Sequence, residues 1–168
     1  MNILLIVVAL LILLPTLYAS VIAAPLAITS RRVISDIVNA VQLSRGEKFY
    51  ELGTGTGRVS AVFGKKGANV VGYELSPLYF LITWLNLKLR GVQGAALRYG
   101  NFFNADLSDA DIVFCFLMPK AMDRLREKFD KELKRGARVV SYAFPIEGYE
   151  PYAVIRRPKT PAVFFYRK

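Results

Sequence analysis

Glu51 stands two residues ahead of three glycines, Gly53, Gly55 and Gly57, in the run FYELGTGTGR from Phe49 to Arg58. Glycines so spaced let the backbone adopt positive φ and leave no side chain between the main chain and a ligand. An apolar run ends at Leu52 and an amphipathic pattern begins at Val59. The glycines therefore fall in a turn between a strand and a helix, whose first amides favour polar or negatively charged ligand groups. A second carboxylate, Glu74, closes the run Asn69 to Tyr73 where the next strand should end. At a strand tip it can accept both hydroxyls of a ribose. The chemistry these residues suit is the binding of a nucleoside cofactor.

A dinucleotide site spaces its glycines as G-x-G-x-x-G and needs a small third residue for close helix packing. Here the third residue after Gly55 is Arg58, against a nicotinamide site, and an empty turn would leave Glu51 and Glu74 as two carboxylates at neighbouring strand ends with no shared purpose. The sequence resembles the class I (seven-β-strand) S-adenosylmethionine-dependent methyltransferases over roughly residues 31–168, with Glu51, Gly53, Gly55 and Gly57 as the glycine motif and Glu74 as the ribose acid. That resemblance implies a Rossmann-like α/β fold with a seven-stranded, mostly parallel sheet and S-adenosyl-L-methionine as cofactor. It implies further cofactor contacts from Thr54, Leu75, Asn101 and Phe102. More narrowly, Ser30-Arg31-Arg32, Arg58 directly after the glycines, VGYELSP at Val71 to Pro77 and F-x-x-P at Phe116 to Pro119 are similar to a small group of membrane-anchored protein-lysine methyltransferases. Animal members of that group modify the c-ring protein of mitochondrial ATP synthase and the adenine nucleotide translocase. The implied reaction is methyl transfer to a lysine ε-amine of a protein, a membrane protein with an accessible lysine. The same fold could instead serve a lipid headgroup or membrane-associated small molecule, or a non-catalytic nucleoside-binding adaptor. Two positions depart from the family pattern: Thr56 stands where an aspartate is expected, and Asn101 where an acid commonly meets the adenine amino group.

Other chemistries are narrowed by composition. The chain has no histidine and one cysteine, so Ser-His and Cys-His nucleophile pairs are excluded, no metal site is expected, and no internal disulfide can form. Cys115 lies in an apolar run and reads as core rather than as a reactive thiol. After the fourth strand, Phe116, Leu117, Met118 and Pro119 are candidates for an apolar acceptor channel, with Tyr142 and Phe144 at the end of the fifth. Such a throat excludes water and disfavours the charged form of an entering amine. The N-P-P-Y type of signature is absent, against DNA adenine or glutamine as acceptor. No strong general base is visible.

The elements that must hold these residues follow from the pattern. Thr29 or Ser30 caps a helix bearing Val33, Ile34, Ile37, Val38 and Val41. Strands are expected at Lys48–Leu52, Asn69–Tyr73, Ala95–Tyr99, Ile112–Phe116 and Ala137–Phe144, with helices at Gly57–Lys66, Pro77–Arg90 and Ala121–Arg135 and a terminal hairpin of Tyr152–Arg156 and Ala162–Arg167. The result is an α/β sandwich with one antiparallel strand. Ser76-Pro77 is an N-cap and N1 pair. The helix it opens is apolar on more than one face, so something must cover it: ordinary burial, the N-terminal helix, a partner or a membrane surface.

Residues 1–30 carry no charge, and sixteen Ile, Leu and Val lie between Ile3 and Ile28. That composition predicts a transmembrane anchor over 1–30, tilted and bent at Pro15, ahead of a methyltransferase domain over 31–168. A cleaved signal peptide is the alternative, against which stand the absence of a basic n-region and the length of the apolar run. Arg31 and Arg32 follow the run and nothing basic precedes it, which predicts a single-pass membrane protein with its catalytic domain on the cytoplasmic side. All 23 Lys and Arg and all 13 Asp and Glu lie beyond residue 30, a net +10. Without a nucleic-acid-binding motif this charge argues against nucleic acid and for the lipid bilayer as a partner.

Overall fold

A computed structural model describes residues 2–22 and 27–168. Beyond an N-terminal helix α1 (Ile3–Ile22) and a second helix α2 (Arg31–Val41), strands and helices alternate: β1 (Lys48–Leu52), α3 (Arg58–Lys65), β2 (Asn69–Glu74), α4 (Pro77–Leu89), β3 (Ala96–Tyr99), β4 (Ile112–Cys115), α5 (Pro119–Glu132), β5 (Arg138–Tyr142), β6 (Ala153–Arg157) and β7 (Thr160–Arg167). They form one seven-stranded sheet in the order β3-β2-β1-β4-β5-β7-β6. β7 is antiparallel to both of its neighbours and every other pairing is parallel.

This order sets the site. The chain winds outward one way from β1 to β3 and the other way from β4 to β5, so a crevice opens where β1 and β4 lie side by side, with Leu52 level with Cys115. Open α/β sheets bind ligands at the carboxyl ends of strands on either side of such a reversal. Both faces of the sheet are covered, which is why β4 reads as a continuous apolar run. On one side Tyr50, Leu52, Val113 and Val139 meet Leu125 and Phe129 of α5. On the other Phe49, Ile112 and Val140 meet Ile34 and Ile37 of α2 and Phe63 of α3. Phe49 and Phe63 stack with centroids 3.9 Å apart. Cys115 is fully buried and its thiol is pushed up to about 12 by desolvation.

Several boundaries shift from expectation for local reasons. Ser30, rather than Thr29, caps α2 by accepting from the Val33 amide. Helix α5 starts at Pro119 rather than Ala121, since proline fits the first helical position. Strand β5 stops at Tyr142 because Ala143 takes φ 79°, and Ser141 Oγ donates to the Phe144 carbonyl across the bend. Phe144 is thus outside the strand.

The expected spanning anchor is corrected. Among the described residues no helix is long and apolar enough to cross a membrane. Helix α1 runs for 20 residues with Pro15 inside it, but its later turns are turned onto the domain. Thr16 meets Ser76 at 2.8 Å, and Thr16 and Ala19 line the pocket described below. The part projecting clear, Ile3 to Leu14, is about 18 Å long at helical rise, short of a hydrocarbon core of about 30 Å. The remainder of the expected anchor includes residues 1 and 23–26, outside the described residues.

Candidate cofactor and active site

The glycine turn is built from backbone geometry. Gly53, Gly55 and Gly57 all have positive φ, 80°, 55° and 69°. Gly53 and Thr54 donate their amides to the Tyr73 carbonyl, which ties the turn to the end of β2. Gly57 sits beneath the turn as the residue before α3, where an added Cβ would come within 2.7 Å of Thr83 Cγ2. From the far side α4 clamps the loop: Thr83 Oγ1 donates to the Gly55 carbonyl at 2.8 Å and Asn86 Nδ2 to the Thr56 carbonyl at 2.7 Å. Thr54 and Thr83 hydroxyls also meet at 3.1 Å.

Two buried carboxylates converge on this turn. Glu51, 3 % exposed, accepts at Oε2 from the Ser60 amide at 2.8 Å and the Ser60 hydroxyl at 2.5 Å. Among the described residues its Oε1 takes no hydrogen bond, and Glu51 lines the pocket. Burial pushes its carboxyl up to about 8, against the Ser60 bonds and with help from the charge of Glu74. Glu74, 6 % exposed, is itself held by backbone: Oε1 accepts from Leu75 and Ser76, and Oε2 from Gly55 at 2.8 Å. Desolvation raises its carboxyl while those three amides oppose the rise. A carboxylate offers about four acceptor positions, so roughly one remains here for a ligand unless the Gly55 amide lets go. Glu74 is therefore a structural tie between β2, the turn and α4 as well as a pocket wall.

Glu51, Gly53, Thr54, Gly55, Glu74, Leu75, Asn101 and Phe102 share one pocket of about 830 Å³, counting the open space at its mouth. Asn101 Oδ1 caps the short 3-10 turn Phe102–Asn104 by accepting from the Phe103 amide. Of the apolar residues expected around an acceptor, Phe116 and Leu117 line the pocket, joined by Phe114. Among the described residues no group of three or more acidic, cysteine or histidine side chains could hold a metal ion.

The family model described as the ANTKMT methyltransferase domain matches residues 51–153, the stretch that carries both acids and the glycine turn. The chain belongs to this methyltransferase family. A protein-lysine N-methyltransferase of Saccharolobus islandicus (strain REY15A) is 35 % identical over 136 residues, covering 79 % of this chain and 84 % of that protein. The Homo sapiens lysine N-methyltransferase named for the C-subunit of ATP synthase is 29 % identical over 131 residues, 77 % of this chain but only 56 % of that longer protein. Among solved structures, an RNA methyltransferase from Salinibacter ruber in complex with S-adenosyl-L-homocysteine superposes with a TM-score of 0.80 at 26 % identity, over 84 % of this chain and 93 % of that one.

Four of the acceptor candidates and one cofactor candidate of this methyltransferase lie elsewhere than expected. Gly57 does not line the pocket, because its role is the close approach to Thr83. Met118 is exposed and Pro119 opens α5, so both have turned past the crevice. Tyr142 is buried behind Phe116, rings 4.4 Å apart, and Phe144 lies beyond the bend at Ala143. Phe103 is out of the pocket, under the Arg124 guanidinium at 3.8 Å. Conversely, the methyltransferase pocket includes Arg58, Tyr79 and Thr29, and the α1 residues Thr16 and Ala19, none of which the sequence singled out as ligand contacts. Thr83 and Asn86 carried a faint signal, as polar residues three apart in an otherwise apolar helix.

Proposed function

We propose that the protein transfers a methyl group from S-adenosyl-L-methionine to the ε-amine of a protein lysine. The observation that carries this is the convergence of two buried carboxylates, from the ends of adjacent parallel strands, on one glycine turn in a single pocket. A lysine acceptor is supported by the named activities of the Saccharolobus and human relatives. The pocket chemistry fits the donor: a carboxylate with a free oxygen for an ammonium, a second for a ribose hydroxyl, bare glycine backbone, and the Phe102 ring and Asn101 amide for a purine.

The donor supplies a methyl group already activated on a sulfonium, so the chain's residues mainly position and desolvate. Glu51 Oε1 would take the donor's ammonium, Glu74 Oε2 one ribose hydroxyl, and Phe102 the face of the base. Phe116 and Leu117 form an apolar wall where the acceptor enters. Such a wall disfavours an ammonium and leaves the neutral amine with its lone pair available.

The same proposal includes the setting. Helix α1, uncharged and exposed along most of its length, embeds in lipid as the anchor of the domain at 31–168, with that domain on the cytoplasmic side and a membrane protein as substrate. The Arg31-Arg32 pair behind the apolar run suits anionic headgroups at the surface where α1 embeds.

Incubation of the purified protein and radiolabelled donor with membranes tests the reaction. Label recovered as methyl-lysine after acid hydrolysis is expected. Label in the organic extract or in RNA would replace the acceptor, and no label despite donor binding would leave a non-catalytic nucleoside-binding adaptor.

A further inference from the structure

Helix α4 covers the glycine turn with one side and leaves an apolar side uncovered. Thr83 and Leu87 are buried against the turn and sheet, whereas Leu78, Leu81, Ile82, Leu85 and Leu89 remain exposed, Leu89 by 78 %, with α1 already in place. At helical spacing those five occupy one strip roughly 100° wide. A strip of this kind marks an interaction surface rather than a solvated face.

Three features identify what covers it. The strip adjoins α1, which packs on α4 through Thr16 and Ser76 and presents its own uncharged apolar surface. At its flank Trp84, 42 % exposed, carries the Lys88 ammonium 4.2 Å above its ring, the pairing of amphipathic aromatic and basic side chain that settles at headgroup depth. No acidic residue occurs in α1 or α4, and the net charge of +10 suits anionic headgroups.

We infer that α4 lies flat in the boundary between headgroups and acyl chains, as a second membrane contact beside α1. This rests on the reading that α1 is in lipid. Leu75, just before α4, and Tyr79 in its first turn border the cofactor pocket together with Thr16 and Ala19 of α1. The contact therefore holds the pocket at the membrane surface and selects acceptor lysines that stand at headgroup depth.

Trp84 is the chain's single tryptophan, so its fluorescence reports on α4 alone. The full-length protein is reconstituted into vesicles of mixed zwitterionic and anionic phospholipid, with or without lipids brominated in the acyl chains, and vesicle sedimentation reads the α1 anchor separately. Expected are a blue-shifted emission, a loss of about half the intensity in brominated vesicles, and several-fold weaker quenching by aqueous iodide. The double variant Leu81→Glu, Leu85→Glu should abolish all three while the protein still sediments with vesicles and still binds S-adenosylhomocysteine. Sedimentation without bromolipid quenching, whether Trp84 is open to iodide or shielded in a larger assembly, overturns the α4 contact and leaves the anchor standing. Failure to sediment overturns the anchor and this contact together.

Discussion

Glu51 offers the sharpest perturbation, because its carboxyl is fully buried and pushed up to about 8 from an ordinary 4.5. At pH 7 about nine in ten molecules of the free protein then carry Glu51 protonated, and ionising it costs about 1.4 kcal/mol. A donor whose ammonium sits against Oε1 requires the ionised form, so binding must release close to one proton at that pH. Donor affinity should therefore rise about ninefold between pH 6 and pH 7, below the range in which the ligand's own amino group titrates. Isothermal titration with S-adenosylhomocysteine, in buffers of different ionisation enthalpy, reads both the slope and the released proton. Glu51→Gln keeps the Ser60 contacts and should show neither. The free protein carries the matching signature. The fold binds the Glu51 proton more tightly than the unfolded chain, so this stability is complete below about pH 4.5, has fallen by about 3 kcal/mol at pH 7, and goes on falling through about pH 8. Thermal unfolding should show that decline in the wild type and much less of it in Glu51→Gln. Wild-type affinity that is flat between pH 6 and pH 7, with no proton released, would refute the direct pairing of Glu51 with the ammonium.

Glu74→Ala strands three backbone amides as well as the ribose contact, so donor affinity should fall about tenfold or more and stability by roughly 2–4 kcal/mol, read by titration and thermal unfolding. A variant that loses stability with donor affinity unchanged would restrict Glu74 to its structural tie. Gly57→Ala drives a Cβ to within 2.7 Å of Thr83 at a φ of 69° and should cost about 1–3 kcal/mol on chemical denaturation; Thr83→Ser should recover part of it. Ser76→Ala removes the cap of α4, whose hydroxyl accepts from the Tyr79 amide, and the tie to Thr16. About 1 kcal/mol of stability should be lost, and amide exchange should quicken in the first turn of α4.

The sheet and the turn were legible because their signals are local. The E-L-G-T-G-T-G run carries its own strand end, positive-φ glycines and helix start, and Ser76-Pro77 announces a helix that the Ser76 hydroxyl does cap. The clamp behind the turn was not legible, because it is made by residues distant in sequence. Thr83 and Asn86 reach carbonyls 28 and 30 positions back, and their spacing in an apolar helix marks them as polar without naming the partner. The reach of the acceptor wall was overestimated for a related reason. Whether Met118 or Tyr142 faces the crevice depends on where strands β4 and β5 end, and the left-handed backbone of Ala143 that ends β5 is not encoded by a glycine. At Asn101 the amide already serves the Phe103 backbone, a use that composition alone does not separate from a contact to a base. The N-terminal run reads as a span by composition, yet packing against α4 engages its later turns.

A crystal structure of the full-length protein with S-adenosylhomocysteine bound tests the central claim most directly. The account predicts the nucleoside over Gly53 and Gly55, a ribose hydroxyl within hydrogen-bond distance of Glu74 Oε2, and the ammonium beside Glu51 Oε1. Density for the ligand outside the crevice between β1 and β4, or with its amino group remote from Glu51, would contradict it.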